Sequence, residues 1–198
     1  GGSGTRLYPI TKGISKQILG MTAIELIDKY YPEDNELKRM LLKHSRQVCE
    51  KALNVLHLHP ELNLNEEVVR EGAMLHDIGI YLTHAPSIHC YGEAHYLLHG
   101  YLGGEILRKE GLPILARICE RHTGAGLTRD DIIRQQLPLP HEDFLPETNE
   151  EKVVCYADKF YSKSNMNCVK TPDEIYHGLL RFGKDGAERF RRWHDQFK

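Results

Sequence analysis

Between Asp34 and about His57 the chain carries Leu37, Leu41, Val48, Ala52 and Val55 at spacings of three, four or seven residues. That spacing predicts one long amphipathic helix with its apolar stripe turned to a core. His44, three residues after Leu41 and four before Val48, falls on the stripe. The conflict recurs further along. His76 follows Gly72 and Ala73 at four and three with Asp77 beside it, His99 precedes Gly103 by four, His122 follows Ile118 by four, and Asp158 follows Val154 by four. A chain with this pattern has to be built from helices that aim imidazoles and carboxylates into their own interior.

The start and stop signals agree with helices. Thr22 precedes AIELIDKYY, and Asn65 caps EEVVREGAMLHD, whose acidic first turn suits the positive helix end and which Gly79 stops. A loop rich in His, Pro and Gly follows, with His84, His89 and His95 in or near it. Helices are then expected over His95 to Lys109, ended by Gly111, and over Pro113 to Arg121, where proline suits a first turn. Thr148/Glu151 and Thr171/Glu174 are full capping boxes, and Thr128/Asp131 makes a weaker one. No segment shows sustained period-two alternation bounded by hairpin turns, so the expected class is all-α without a sheet.

Histidine occurs 12 times, an excess that asks for a chemical reason. A lone inward histidine is readily satisfied by a carbonyl, but an unpaired buried carboxylate costs several kcal/mol. His44, His76, His99 and His122 together with Asp77 and Asp158 are therefore read as one ligand set for divalent first-row metal, one ion or two. No cysteine sits at these positions, so soft-ligand selection is absent. Mixed His/carboxylate ligation favours Fe or Mn, with Zn, Ni, Co and Mg also compatible.

His44, His76-Asp77 and Asp158 resemble the H…HD…D pattern of the HD-domain phosphohydrolases, and His76-Asp77-Ile78-Gly79 spells the HDIG variant. The resemblance covers about residues 37 to 165, and GGEILRKEG, RHTGAGLT and PETNEEKVVCYADK are similar to a small HDIG subgroup. It implies an HD-domain helical bundle with the metal centre in its core. The first His, the HD pair and the last Asp hold one metal in the family; His99 and His122 match the extra histidines of two-metal members, where Asp77 would bridge both ions as the catalytic residue. The implied reaction is hydrolysis of a phosphate ester or anhydride, of a nucleotide or other small phosphorylated metabolite, by a metal-bound hydroxide. Ile80 departs from the pattern, because many relatives carry Arg or Lys there and use it on phosphate. Arg121 and Lys159, each beside a ligand, are candidates for substrate phosphate. Two other readings are a nucleotide-sensing module without turnover and a di-iron oxygenase of HD fold.

The opening GGSGTRLYPITKGISKQ resembles a different family, the sugar-1-phosphate nucleotidyltransferases, through Gly1, Gly2, Gly4, Arg6 and Lys16 of their signature loop. Such a loop works at the edge of an α/β sheet. Residues 1–20 are accordingly read as a remnant extension ahead of Met21, and 21–198 as the HD domain with its C-terminal helices. Lys+Arg 26 against Asp+Glu 28 leaves no global field for nucleic acid or an anionic membrane. Arg189, Arg191 and Arg192 are interrupted by Glu188 and Asp195 and read as helix surface. The expected partner is a small phosphorylated molecule. No apolar run approaches the roughly 20 residues that span a bilayer. The scattered cysteines, without a CxxC pair, suit a reducing, cytoplasmic setting.

Overall fold

Capping chemistry sets most of the helix starts. Thr22, Thr128, Thr148 and Thr171 each accept from the backbone N–H three residues on and receive that residue's carboxylate in return. Asp131 completes its box as fully as the glutamates do, which corrects the weaker expectation. Asn35 and Asn65 cap by accepting from the N–H groups of Lys38 and Val68.

The computed structural model describes residues 21–198; the nucleotidyltransferase-like stretch and the whole 1–20 extension lie outside the described residues. In chain order come α1 (Ala23–Tyr30), α2 (Glu36–Leu58) and α3 (Glu66–Leu75), then three short strands, β1 (Thr83–Ala85), β2 (Cys90–Tyr91) and β3 (Ala94–His95). They are followed by α4 (His99–Lys109), α5 (Pro113–Arg121), α6 (Arg129–Arg134) and α7 (Asn149–Asp158). A hairpin of β4 (Tyr161–Ser162) and β5 (Asn165–Val169) leads to α8 (Pro172–Leu179) and α9 (Lys184–Phe197). No helix among the described residues is long and apolar enough to cross a membrane.

The long α2 is central, burying Met40, Leu41, His44, Val48, Ala52 and Val55 along one face and packing on α3 and α7. α4 packs on α5, and α8 on α9. One apolar core runs through all of these, from Ala23 to Phe197. The helical class stands, but the exclusion of sheet does not. Strand β1 pairs antiparallel with β2 (His84 with Tyr91) and parallel with β3 (Thr83 with Ala94), and β4 pairs with β5 across an irregular register. Most of these strands are two or three residues long, too short to show the alternation that sequence reading relies on. β3 also takes His95 out of the expected helix: its Nδ1 accepts from the Leu97 N–H at 3.2 Å, capping a 3-10 turn, and α4 begins at His99.

Gly79 explains how α3, α4 and α5 converge. A Cβ there would lie 2.4 Å from both the His99 carbonyl oxygen and the Gly103 nitrogen, while a Cβ on Gly103 would lie 2.4 Å from Cys119 Sγ. Bare backbone at these two points lets the turn after α3 sit directly on α4, and α4 on α5. Behind it, the buried Tyr31 hydroxyl donates to the Ile78 carbonyl at 2.7 Å, tying the end of α1 to the same turn.

Candidate metal centre

Three of the inward histidines are set by the same local device. His76, His99 and His122 lie at or next to helix ends, and each places Nδ1 on the carbonyl three residues earlier: Ala73 at 2.7 Å, Tyr96 at 2.7 Å and Cys119 at 2.6 Å. A carbonyl only accepts, so in the neutral ring Nδ1 holds the proton and the Nε2 lone pair is left to face inward. This is the orientation in which imidazole binds metal with its second nitrogen anchored. His44 reaches the same point from the middle of α2.

The Nε2 atoms converge on Asp77, and they divide between its two oxygens. Oδ2 lies 3.3 Å from His44 Nε2 and 3.2 Å from His76 Nε2. Oδ1 lies 3.4 Å from both His99 Nε2 and His122 Nε2. Asp158 joins the first half, its Oδ1 being 3.0 Å from His44 Nε2 and 3.5 Å from His76 Nε2. His44 and His76 are 3.3 Å apart through Nε2, and His99 and His122 are 2.9 Å apart. Asp77 is thus a shared wall between a His44–His76–Asp158 half and a His99–His122 half, and every one of the six side chains is buried.

Residues 39–162 match the family described as the HD domain, and they contain all six of these side chains. The chain belongs to the HD domain family. Its fold is that of a superfamily of metal-dependent hydrolases, whose HD domains bind divalent metals. This HD domain is 46% identical over 120 residues to the uncharacterized protein MJ0778 of Methanocaldococcus jannaschii, covering 60% of the chain and 62% of that protein. It is 31% identical over 179 residues to a tRNA (cytidine(56)-2'-O)-methyltransferase of Picrophilus torridus, covering 85% of the chain and 47% of that protein. A minor similarity, 34% over 105 residues, links 53% of the chain to 32% of a glucose-1-phosphate thymidylyltransferase of Xanthomonas campestris pv. campestris. The chain therefore spans between about a third and three-fifths of the curated relatives named here. No solved structure matches it significantly.

The donor set of this HD domain fits divalent metal. Ligand atoms about 2.0–2.2 Å from one ion stand about 2.8–3.5 Å from one another at octahedral to tetrahedral angles. The separations of 2.9 to 3.5 Å found within each half fall in that range. Neither Asp77 oxygen makes a hydrogen bond, although both are fully buried. The Lys163 ammonium approaches Oδ2 to 2.7 Å as an ion pair without hydrogen-bond geometry. Burial disfavours the ionised form of Asp77, yet Lys163 and His76 outweigh it and hold its carboxyl well below the usual carboxylate range. Asp158 is held low against burial in the same way, chiefly by Lys159. On His76, burial opposes the charge and the two carboxylates overcome it, lifting its pKa to about 9. His99 goes the other way, to about 3, through burial and the neighbouring His122.

A cavity of about 760 Å³ lies against the centre, and His99, His122 and Asp158 form part of its wall. Of the residues proposed for phosphate, Lys159 lines it, with Nζ 2.7 Å from Asp158 Oδ2 and donating to the His122 carbonyl at 2.7 Å. Arg121 is placed elsewhere. It donates to the Leu145 carbonyl at 2.7 Å and pairs with Glu147 at 2.9 Å, joining α5 to the segment before α7. Ile80 is fully buried. The small β1–β3 sheet contributes Ala85 to the cavity wall, while His84, His89 and His95 are exposed. The residue that sequence reading missed is Lys163, delivered to Asp77 by the turn of the β4–β5 hairpin. The only signal was its position five residues after Asp158 in a segment with no periodicity to orient it.

Proposed function

We propose that this HD domain hydrolyses a phosphate ester or anhydride of a nucleotide or another small phosphorylated metabolite. One juxtaposition carries the reading: Lys159 and Lys163 line the same cavity as His99, His122 and Asp158. An anion entering it meets ammonium groups and metal-ligand side chains together. His44, His76, Asp158 and Asp77 Oδ2 would hold one ion; His99, His122 and Asp77 Oδ1 would hold a second. When bound, such ions supply Lewis-acid charge that activates water at neutral pH and offsets charge on the phosphoryl oxygens. The chain's own side chains do the rest. Asp77 fixes the two halves relative to each other, the Nδ1 anchors stop the imidazoles from rotating, and Lys159 steadies Asp158 and the end of α5 at once. In the reaction the water oxygen bonds to phosphorus, the bridging oxygen departs with the bonding electrons and takes up a proton, and phosphate is released.

This chain covers about half the length of the tRNA methyltransferases it is similar to, and its cavity adjoins side chains that could hold a metal, which supports hydrolysis. The test is metal analysis of protein purified without added metal, followed by a phosphate-release screen with Mn or Fe restored. Release that needs metal and stops with chelator is expected. Tight nucleotide binding without release would replace this reading by a sensing module, and turnover that requires oxygen would replace it by an oxygenase.

A further inference from the structure

The cavity wall carries two further cations that the metal centre does not use. Lys170 leaves β5 and Arg181 follows α8, and both line the cavity together with Lys159 and Lys163. Lys159 and Lys163 are each shared with a carboxylate of the centre, Asp158 and Asp77. Among the described residues neither Lys170 nor Arg181 has a carboxylate within ion-pairing distance; the Arg181 guanidinium lies over the Phe182 ring, 4.7 Å from its centre. Glu174, a carboxylate that also lines the cavity, is engaged locally: it accepts from the Thr171 N–H at 2.7 Å and the Thr171 hydroxyl at 3.0 Å as the return arm of a capping box. Lys170 is exposed, and partial desolvation with like charge on Lys159, Arg181 and Lys163 holds it below its ordinary pKa despite Asp158.

A second, independent observation comes from the backbone. Gly178 lies in the last turn of α8, where glycine is a poorer helix former than alanine. No packing requires it, since a Cβ there would meet nothing within 4 Å, and it lines this cavity. A side chain at that point would enter open space beside the cavity that the two cations also line.

The geometry points to a second anion subsite, formed by Lys170 and Arg181 around the bare backbone of Gly178. It rests on the reading of the cavity as a phosphate site and narrows the substrate class: a molecule with two phosphoryl groups, one at the His/Asp centre and one at this wall. A cavity of about 760 Å³ accommodates such a molecule with its nucleoside. Arg and Lys are the side chains that bind phosphate through charge-assisted hydrogen bonds.

The test is calorimetric titration of the full chain, stripped of metal so that no ligand is consumed, with ADP, AMP, pyrophosphate and inorganic phosphate. The wild-type chain is expected to bind ADP about tenfold or more tightly than AMP, and pyrophosphate more tightly than phosphate. Lys170→Ala combined with Arg181→Ala should abolish both preferences. Gly178→Leu, which favours the helix, should do the same by filling the space. Preferences that survive in both variants, or are absent in the wild type, overturn the subsite. A preference for ADP without one for pyrophosphate assigns recognition to the nucleoside and also overturns it. Because binding is read without turnover, the subsite can stand if no ester is ever hydrolysed, and can fall while hydrolysis is confirmed.

Discussion

Gly79→Ala tests whether the glycine of the HDIG turn sets the position of His99. At φ −85 and ψ −1 alanine is conformationally free to occupy the site, and restricting the unfolded chain favours it by about 0.4–1 kcal/mol. The packing opposes it. The new Cβ would lie 2.4 Å from the His99 carbonyl oxygen and the Gly103 nitrogen, backbone atoms that cannot turn aside. Ordinary contact requires about 1 Å of withdrawal by α4, and overpacking of this kind costs about 1–3 kcal/mol. The net expectation is a loss of about 1–2 kcal/mol. Urea unfolding of the chelated protein, followed by circular dichroism, should show a midpoint lower by about 0.5–1 M at a slope near 2 kcal/mol/M. The displaced carbonyl belongs to a proposed ligand, so metal content should fall on the His99–His122 side, and a shift of about 1 Å should reduce turnover about 10²-fold. Gly178→Ala is the control: with nothing near its Cβ, it should stabilise by about 0.5–1 kcal/mol. If Gly79→Ala leaves both midpoint and metal content at wild-type values, the close approach does not hold α4 in place and the reasoning fails.

Asp77→Asn keeps the shape of the shared wall but removes its charge; turnover at matched metal occupancy should fall by about 10²-fold or more while helix content persists, and near-normal phosphate release would remove Asp77 from the centre of the reaction. His99→Ala and His122→Ala should each lower metal stoichiometry from about two towards one; full occupancy in both would leave only the His44–His76–Asp158 half. Metal affinity should depend on pH through His76. With its pKa lifted to about 9 by Asp77 and Asp158 against burial, the ring is protonated below that value, so affinity is fully expressed above about pH 9 and weakens as pH falls. Chelator competition should show about tenfold per pH unit between 6 and 8, and a flat profile would refute the assignment.

The inward clustering of the six side chains was legible because burial follows helix periodicity: a histidine four residues from Val48 or Ile118 has to face where they face. The HDIG turn added a family pattern to that geometry. Periodicity alone could not supply the division of Asp77 between two histidine pairs, which only the family resemblance implied and which depends on how closely α4 meets the turn after α3. Lys163 was missed for a different reason. It is carried by strands of two and five residues joined by a tight turn, and a segment that short has no hydrophobic period from which a direction can be read. Arg121 illustrates the converse: adjacency to a ligand in sequence placed it beside the site, but one residue along a helix is a rotation of about 100°, and its guanidinium faces Glu147 and Leu145 instead.

The contact between His44 and Asp158 joins residues 114 positions apart, and the other side chains of the cluster that could hold metal enter at the ends of α3, α4 and α5 between them. An ion held there acts as a noncovalent cross-link, closing several long loops at once and lowering the entropy the chain gains on unfolding. The metal-loaded domain should therefore open as one cooperative unit. Stripped of metal, it retains contacts that can part separately, and hydrogen exchange should report the difference as earlier opening of α4 and α5 while the α2 core stays closed.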